Sequence, residues 1–356
     1  MSAVATPTGG SLSRTSFTKG QLPGWAGYGI GGGALALAVL VVLATDVAPG
    51  VALAAAAIIS TVAIYIWSRS VEGARRAVDR VVTFGVSYAF LLAVIPLVSV
   101  LETVISLGVN RFDGEFLTET SRNVLGAGGG ASHAIVGTLV IVGCATLLAV
   151  PIGILAAVYL VEYGGRSRLA RAITFFVDVM TGIPSIVAGL FVFALFSIFF
   201  GPGIRLGIMG SIALTVLMIP IVVRSTEEML RIVPDKLREA AYALGVPKWR
   251  MIIKVVLPTA LAGIVSGVML AIARVMGETA PLLVTTGVVD SINSNPFDGR
   301  MQNLAVFTFN EYKNPGIPKE AFIDRAWAAA LTLILIVMLL NLIGRLIYRK
   351  FGTEIR

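Results

Sequence analysis

The two residue types that carry most metal and redox chemistry are nearly missing: the chain has one cysteine, Cys144, and one histidine, His133. A lone cysteine in an apolar run cannot close an internal disulfide or build a thiolate cluster, so it leaves the redox compartment open. The lone histidine opens an apolar segment beside Ser132, and reads as a polar residue near the lipid headgroups before it reads as a metal ligand or proton relay. Charge is scarce as well, at 13% of residues against 56% hydrophobic, with a mean hydropathy of +0.89. That balance lies outside the soluble globular range, so lipid must solvate most of the chain. No G-x-x-x-x-G-K-[ST] run occurs, so the chain has no Walker A loop to cradle ATP phosphates. Short apolar strands of period two are missing too, which excludes a barrel and leaves helices to satisfy the backbone in lipid.

What is present is a series of apolar runs, each long enough to cross about 30 Å of hydrocarbon at about 1.5 Å per residue. Eight spans are expected, at residues 25–45, 50–67, 80–107, 134–161, 172–200, 206–223, 260–284 and 326–347. The net charge of +8 comes from basic residues scattered between these runs, a pattern of membrane orientation rather than of a nucleic-acid face. With the amino terminus inside, twenty Lys and Arg fall in the inside segments and seven outside, which puts both termini and the 224–258 loop in the cytoplasm. Residues 1–24 read as a retained, disordered cytoplasmic tail, 25–67 as a transmembrane hairpin, 80–347 as a six-helix core and 348–356 as a second cytoplasmic tail. In the hairpin, Gly29 and Gly33 match a small-xxx-small pair for close packing. Two outer segments are long, 108–133 and 285–325. The second interleaves Phe307, Phe309 and Tyr312 with Asn, Pro and Gly, and is either a plain solvated loop or a surface met by an external delivery protein.

The inner loop has its own punctuation. Pro234 and Asp235 open a short helix and Gly245 closes it, with Leu237, Ala240, Ala241 and Leu244 at helical spacing on one face. Pro247 opens a second segment in which Trp249, Ile252, Ile253 and Val256 repeat helically against Lys248, Arg250 and Lys254, suited to the membrane interface. Leu257-Pro258 is expected to end it and start the next span. On composition alone this is an ordinary basic loop or a docking element.

One span carries charge. An arginine at mid-span costs roughly 2.5 to 3.5 kcal/mol on insertion scales, so it is paired or functional. Arg274 and Glu278 stand one helical turn apart, and either form a structural ion pair or make an anion site in which Glu278 holds Arg274. A guanidinium fork suits an oxyanion. Pro281 is expected to bend or break the span nearby. Glu102 and Asp178, near span ends, are expected to reach water or a backbone donor.

Glu239-Ala240-Ala241, then Gly245, then Val255-Val256-Leu257-Pro258, resembles the EAA loop of type I ABC importer permeases, with Val255 where the family has Ile. The run 273–283 resembles the PstA branch of phosphate importer permeases. So do Gly182-Ile-Pro184-Ser185-Ile-Val-Ala-Gly189, and Pro151-Ile-Gly153 with Tyr159-Leu-Val-Glu162-Tyr163. The likeness covers the last six spans and leaves the hairpin outside it. The resemblance implies an all-α polytopic membrane protein with a type I ABC importer permease core of six helices plus an amino-terminal two-helix hairpin. It implies a non-catalytic inner-membrane subunit, with no cofactor of its own because ATP and Mg bind a partner. It further implies a PstC-type permease subunit as heterodimer partner, a PstB-type ATPase dimer and an external PstS-type phosphate-binding protein. By motif, Arg274 and Glu278 are pathway residues, and Glu239, Ala240, Ala241, Gly245, Leu257 and Pro258 couple to the ATPase. Sulfate or molybdate is the nearest alternative substrate, and an ATP-independent secondary transporter, channel or membrane scaffold the alternative class.

Overall fold

A computed structural model describes residues 20–351, apart from Asp46, Leu125 and Arg166. Most of the expected amino-terminal tail, and residues 352–356 of the carboxy-terminal one, therefore lie outside the described residues. Among the described residues every regular element is helical. In order these are α1 (Ala26–Ala44), α2 (Pro49–Val71), α3 (Ala74–Gly108), α4 (Gly114–Thr118), α5 (Ser132–Val158), α6 (Arg168–Thr181), α7 (Ser185–Phe200) and α8 (Gly207–Ile232). They are followed by α9 (Asp235–Ala243), α10 (Lys248–Met251), α11 (Leu257–Met276), α12 (Ala280–Thr285), α13 (Leu304–Lys313) and α14 (Lys319–Phe351). Seven helices or continuous helical runs are long and apolar enough to span a membrane. An eighth candidate is the pair α6 and α7, bent by 108°.

Proline placement explains where helices start. Pro184, Pro234 and Pro247 are the residues just before α7, α9 and α10, and Pro281 falls in the first turn of α12. A first-turn N–H has no helical partner, so proline costs little there, and its fixed φ suits the helix. The expected straight fifth span, 172–200, is corrected by this logic: Gly182-Ile183-Pro184 interrupts it, and α6 turns sharply into α7. Arg168, Arg171 and Asp178 make α6 a two-faced helix, whereas α7 is apolar throughout.

Pro258 is corrected in the opposite direction. It does not end the preceding helix, because α10 runs through a π-helical turn, Ile252–Val256, directly into α11. The wider turn absorbs the ring that would otherwise clash with the carbonyl four residues earlier. In this stretch Ile252 and Val256 are buried while Trp249 and Ile253 face outward.

The contacts divide the chain into two compact units at Leu101, not near residue 80. In the first, the Glu72 carboxylate accepts from the Leu22 amide (3.0 Å), the Ser68 hydroxyl (2.7 Å) and the Arg80 guanidinium (2.7 and 2.9 Å). It thereby fastens the entry of α1, the end of α2 and the start of α3 to one another, and Arg80 holds its pKa down at about 2. Close packing between α1 and α2 is made by Ala38, Ala52 and Ala56. Gly33 meets no neighbour and Gly29 faces its own Trp25, so the expected glycine pair is not the contact.

In the second unit α5 and α8 form the centre. Ile141, Val142, Ala145 and Ala149 pack against Leu214, Met218 and Val222, and α11 closes the cluster with Ala271, Ile272, Val275 and Met276. Burial of such side chains is worth about 25 cal/mol per Å² in water, but between lipid-solvated helices close fit supplies the attraction instead. Glycine makes that fit: a Cβ at Gly153 would stand 2.7 Å from Val222, and one at Gly267 2.3 Å from Ser225. The 285–325 segment is less loop-like than its composition indicates. α13 packs beneath α14 with Leu304 and Phe307 buried, leaving only Phe309 and Tyr312 of the aromatic trio exposed. His133 is buried edge-on to Phe307, with ring centroids 5.4 Å apart.

Candidate functional site: a broken helix and a tethered inner loop

The charged span is broken between its two charges. α11 ends at Met276, and Gly277, Glu278 and Thr279 form a non-helical link before α12 begins. Arg274 is in the last turn of α11 and Glu278 beyond its end, so they no longer share a helical face. No ion pair joins them among the described residues. The ion-pair alternative is thus corrected: Pro281 prevents the helix from continuing and lifts Glu278 out of register. Arg274 is exposed on the face of α11 that also carries exposed Ser266 and Leu270, opposite buried Ala271, Ile272, Val275 and Met276. Its guanidinium is therefore available to a ligand.

Two sequence motifs meet at this break. α7 packs along α12, and a Cβ on Gly189 would stand 2.6 Å from the Cα of Pro281 and 2.9 Å from its carbonyl oxygen. Only glycine permits that approach, because both contacts are main-chain atoms that cannot give way. The helices that follow the Gly182–Pro184 and Gly277–Thr279 interruptions, α7 and α12, thus pack against each other. Backbone irregularity of this kind at membrane depth is tolerated where it lines protein or a cavity.

In the 234–245 loop the short helix forms as its punctuation predicts. α9 spans Asp235–Ala243, and Gly245 adopts φ +72 with no atom near its missing Cβ, so backbone conformation alone requires glycine there. Burial divides the motif. Ala241 is buried in the chain's own core, whereas Glu239, Ala240, Tyr242 and Leu244 are exposed, Leu244 at 83%. The single apolar face expected from the spacing is therefore split, with Ala241 holding α9 down and the remainder free. Leu257 and Pro258 lie at the junction of the π-turn with α11 and not on the exposed loop surface.

The residue that places α9 is Arg238. It donates to Glu162 Oε1 from Nε (3.1 Å) and Nη2 (2.9 Å), to the Val233 carbonyl (2.6 Å), to the Leu230 carbonyl (2.9 Å) and to Asp235 (3.0 Å). Lys248 adds a second tether: it donates to the Glu162 carbonyl and lies 4.9 Å from the Tyr163 ring centroid. Glu162 belongs to a π-helical turn, Tyr159–Tyr163, that ends α5. Local spacing gave no signal for this contact, because the partners are 76 residues apart. Asp178 likewise finds an unforeseen partner in Arg224, which also binds Glu227 at 2.8 Å; Glu102 is exposed. Among the described residues, no group of three or more His, Cys, Asp or Glu is placed to hold a metal ion.

Known proteins bear on this arrangement. The family described as "binding-protein-dependent transport system inner membrane component" matches residues 149–356. The phosphate transport system permease protein PstA of Mycobacterium leprae is 47% identical over 281 residues, covering 78% of this chain and 90% of the relative. PstA 1 of Mycobacterium tuberculosis (strain CDC 1551 / Oshkosh) is 49% identical over 278 residues, covering 77% and 89%. PstA of Yersinia pestis is 38% identical over 289 residues, covering 79% and 94%. Among solved structures, a bacterial alginate ABC transporter in complex with its alginate-bound periplasmic protein superimposes with a TM-score of 0.54 at 15% identity, covering 77% of this chain and 98% of that one. This last likeness concerns the fold alone. The bundle with its broken α11–α12 helix and short inner α9, together with these relatives, makes the chain a multi-pass inner-membrane protein that belongs to the binding-protein-dependent transport permeases, in their PstA branch.

Proposed function

We propose that the chain forms one half of the membrane pathway of an ATP-driven inorganic phosphate importer. The observation that carries this reading is the exposed Arg274 at a helix break, where no acid among the described residues forms an ion pair with it. A guanidinium presents parallel donors that fit two oxygens of a phosphate, and a site bounded by helices raises the value of each charge-assisted bond. The phosphate permeases that share 38–49% of its residues support the choice of anion. Glu278, in the link beside it, is the second pathway residue and acts on the shape and charge of the break rather than by pairing.

The remaining machinery belongs to partners. A PstC-type permease completes the pathway against the exposed face of α11, and a PstB-type ATPase dimer hydrolyses ATP. A PstS-type protein delivers phosphate from outside. The exposed part of α9, with Glu239, Ala240 and Leu244, docks on the ATPase, and both chain termini lie in the cytoplasm. Ala241 serves this docking from behind, by seating α9 on the core.

Uptake of labelled phosphate into cells or proteoliposomes carrying the assembled complex tests the reading. Arg274→Gln leaves the subunits co-purifying and abolishes uptake; normal uptake would overturn the assignment. Ala240→Arg, on the exposed face, detaches the ATPase in a pull-down while the permease remains folded.

A further inference from the structure

Two more arginines converge one short helix outward of the break. Thr285 ends α12, Thr286 caps it, and the chain then turns at Gly287, which is buried with φ +74. A Cβ on Gly287 would stand 2.9 Å from Arg205 Cδ, 3.4 Å from Arg205 Nη1 and 3.3 Å from Arg300 Cδ. Residues 95 positions apart in sequence thus lay their stems against the same glycine.

The main chain holds them there. Leu206, next to Arg205, donates to the Thr285 carbonyl at 3.2 Å, and Met301, next to Arg300, donates to the Thr286 carbonyl at 3.3 Å. Ile208 donates to Pro296 at 2.7 Å, and the Asn293 amide to the Arg300 carbonyl at 3.0 Å, so both arginine-bearing segments are stitched to the end of α12 and to one another. Among the described residues neither guanidinium has a hydrogen bond or an ion pair, although other arginines of this unit, such as Arg111, Arg224, Arg238 and Arg325, are paired. Two like charges held side by side by backbone repel one another, and a bound anion relieves that repulsion. Arg205 is half-buried and Arg300 exposed, so the pair opens to water on one side.

Its position suits a sequence of steps. α12 has six residues, so the pair stands about 9 Å along the helix from the break that carries Arg274. The distribution of basic residues puts this end of α12 outside the membrane. We infer that Arg205 and Arg300 form an outer receiving site for inorganic phosphate, which takes the anion from water or from the delivery protein before it reaches Arg274. This inference rests on the pathway reading of Arg274. The two forks together offer enough donors for a tetrahedral dianion, and the turn at Gly287 leaves the space between the stems clear.

The test uses the assembled transporter in proteoliposomes. In the wild-type complex, phenylglyoxal labels both arginines, and millimolar inorganic phosphate slows labelling of Arg205 and Arg300 at least fivefold, read by peptide mass spectrometry. Sodium chloride at equal ionic strength does not; failure of phosphate to protect, or equal protection by chloride, overturns the site. In the Arg205→Gln/Arg300→Gln variant, uptake at saturating phosphate-loaded delivery protein falls about tenfold, the concentration of delivery protein for half-maximal rate is unchanged, and Lys at both positions restores part of the rate. A raised half-saturating concentration with an unchanged maximum would make the pair a protein-docking surface instead and overturn the inference, as would no change in either quantity. Arg274→Gln in the same liposomes separates the two readings. If it transports normally while phosphate still protects the outer pair, the pathway assignment fails and the outer site stands.

Discussion

The tether between Glu162 and Arg238 gives the sharpest quantitative test of how the inner helix is held. Arg238 makes five hydrogen bonds at 2.6–3.1 Å. The bond to Asp235 counts for little, since that carboxylate is 89% exposed and water screens it. The two bonds to Glu162 differ, because the Glu162 side chain is only 5% exposed and that of Arg238 14%. Removing one partner of such a pair leaves the other charge in a poorly solvated place, a loss of about 3 to 5 kcal/mol for full burial. The residual exposure here puts the expectation at the lower end. Arg238→Ala therefore loosens α9 by about 3 kcal/mol, which raises the rate of amide exchange in α9 by on the order of a hundredfold. Glu162→Ala does nearly the same. The double variant adds little more, because the pair is then absent altogether, and the cycle returns a coupling of about 3 kcal/mol.

Hydrogen exchange with peptide resolution, on the detergent-solubilised complex, reads this directly. Arg238→Lys gives an intermediate rate, since one ammonium cannot span Glu162 and both carbonyls of the α8 end at once. Exchange in α9 that stays at the wild-type rate in Arg238→Ala, or single-variant effects that simply add, refutes the tether as the element that places α9.

Three further outcomes follow from packing and charge. Gly189→Ala forces a methyl against the Pro281 backbone and destabilises the protein by about 2 kcal/mol with loss of uptake, whereas Gly182→Ala, whose nearest atom would be 3.5 Å away, is tolerated; thermal unfolding and uptake distinguish them. Glu72 has its pKa pulled from 4.5 to about 2, so its stabilisation of the first unit is fully present above the ordinary glutamate range and is lost as pH falls through about 2; proteolysis of the 72–80 connection across that range measures it, and Glu72→Gln removes the dependence. Glu311 has its pKa raised, first by burial and also by Asp290, against the lowering effect of Arg325. The sign is therefore reversed: its contribution is greatest at acid pH and declines as pH rises through the raised value, so amides of α13 exchange more slowly on mild acidification, and Asp290→Asn flattens that profile.

Much of this architecture was legible because membrane insertion and helix punctuation act locally. Apolar length located the spans, and proline located the starts of α9 and α10, since fixed φ and the missing N–H operate within a single turn. α9 and its closing glycine could be read to the residue for the same reason. The failures have one physical source: they concern pairs. Arg274 and Glu278 were placed on one face by counting 3.6 residues per turn through a segment that Pro281 interrupts, so local spacing failed where the helix stopped. Ala241 turned out to be an inward residue because burial depends on what lies across from α9, and Glu162 and Arg238 gave no local hint of each other.

Those long-range pairs are also what connect the two ends of the permease. α8 is the shared element: its buried face joins α5 and α11 at mid-span, and its end carries the Leu230 carbonyl that Arg238 binds. Through Arg238, α9 is thus held both to the end of α8 and, by way of Glu162, to the end of α5. No flexible link separates α10 from α11, since the π-turn makes α10 and α11 one continuous helix with Met251, Ile252 and Val256 in the same inner cluster as Ala241. The helical path is interrupted at Gly182–Pro184 and at Gly277–Thr279, and Gly189 of α7 packs directly on the Pro281 backbone of α12.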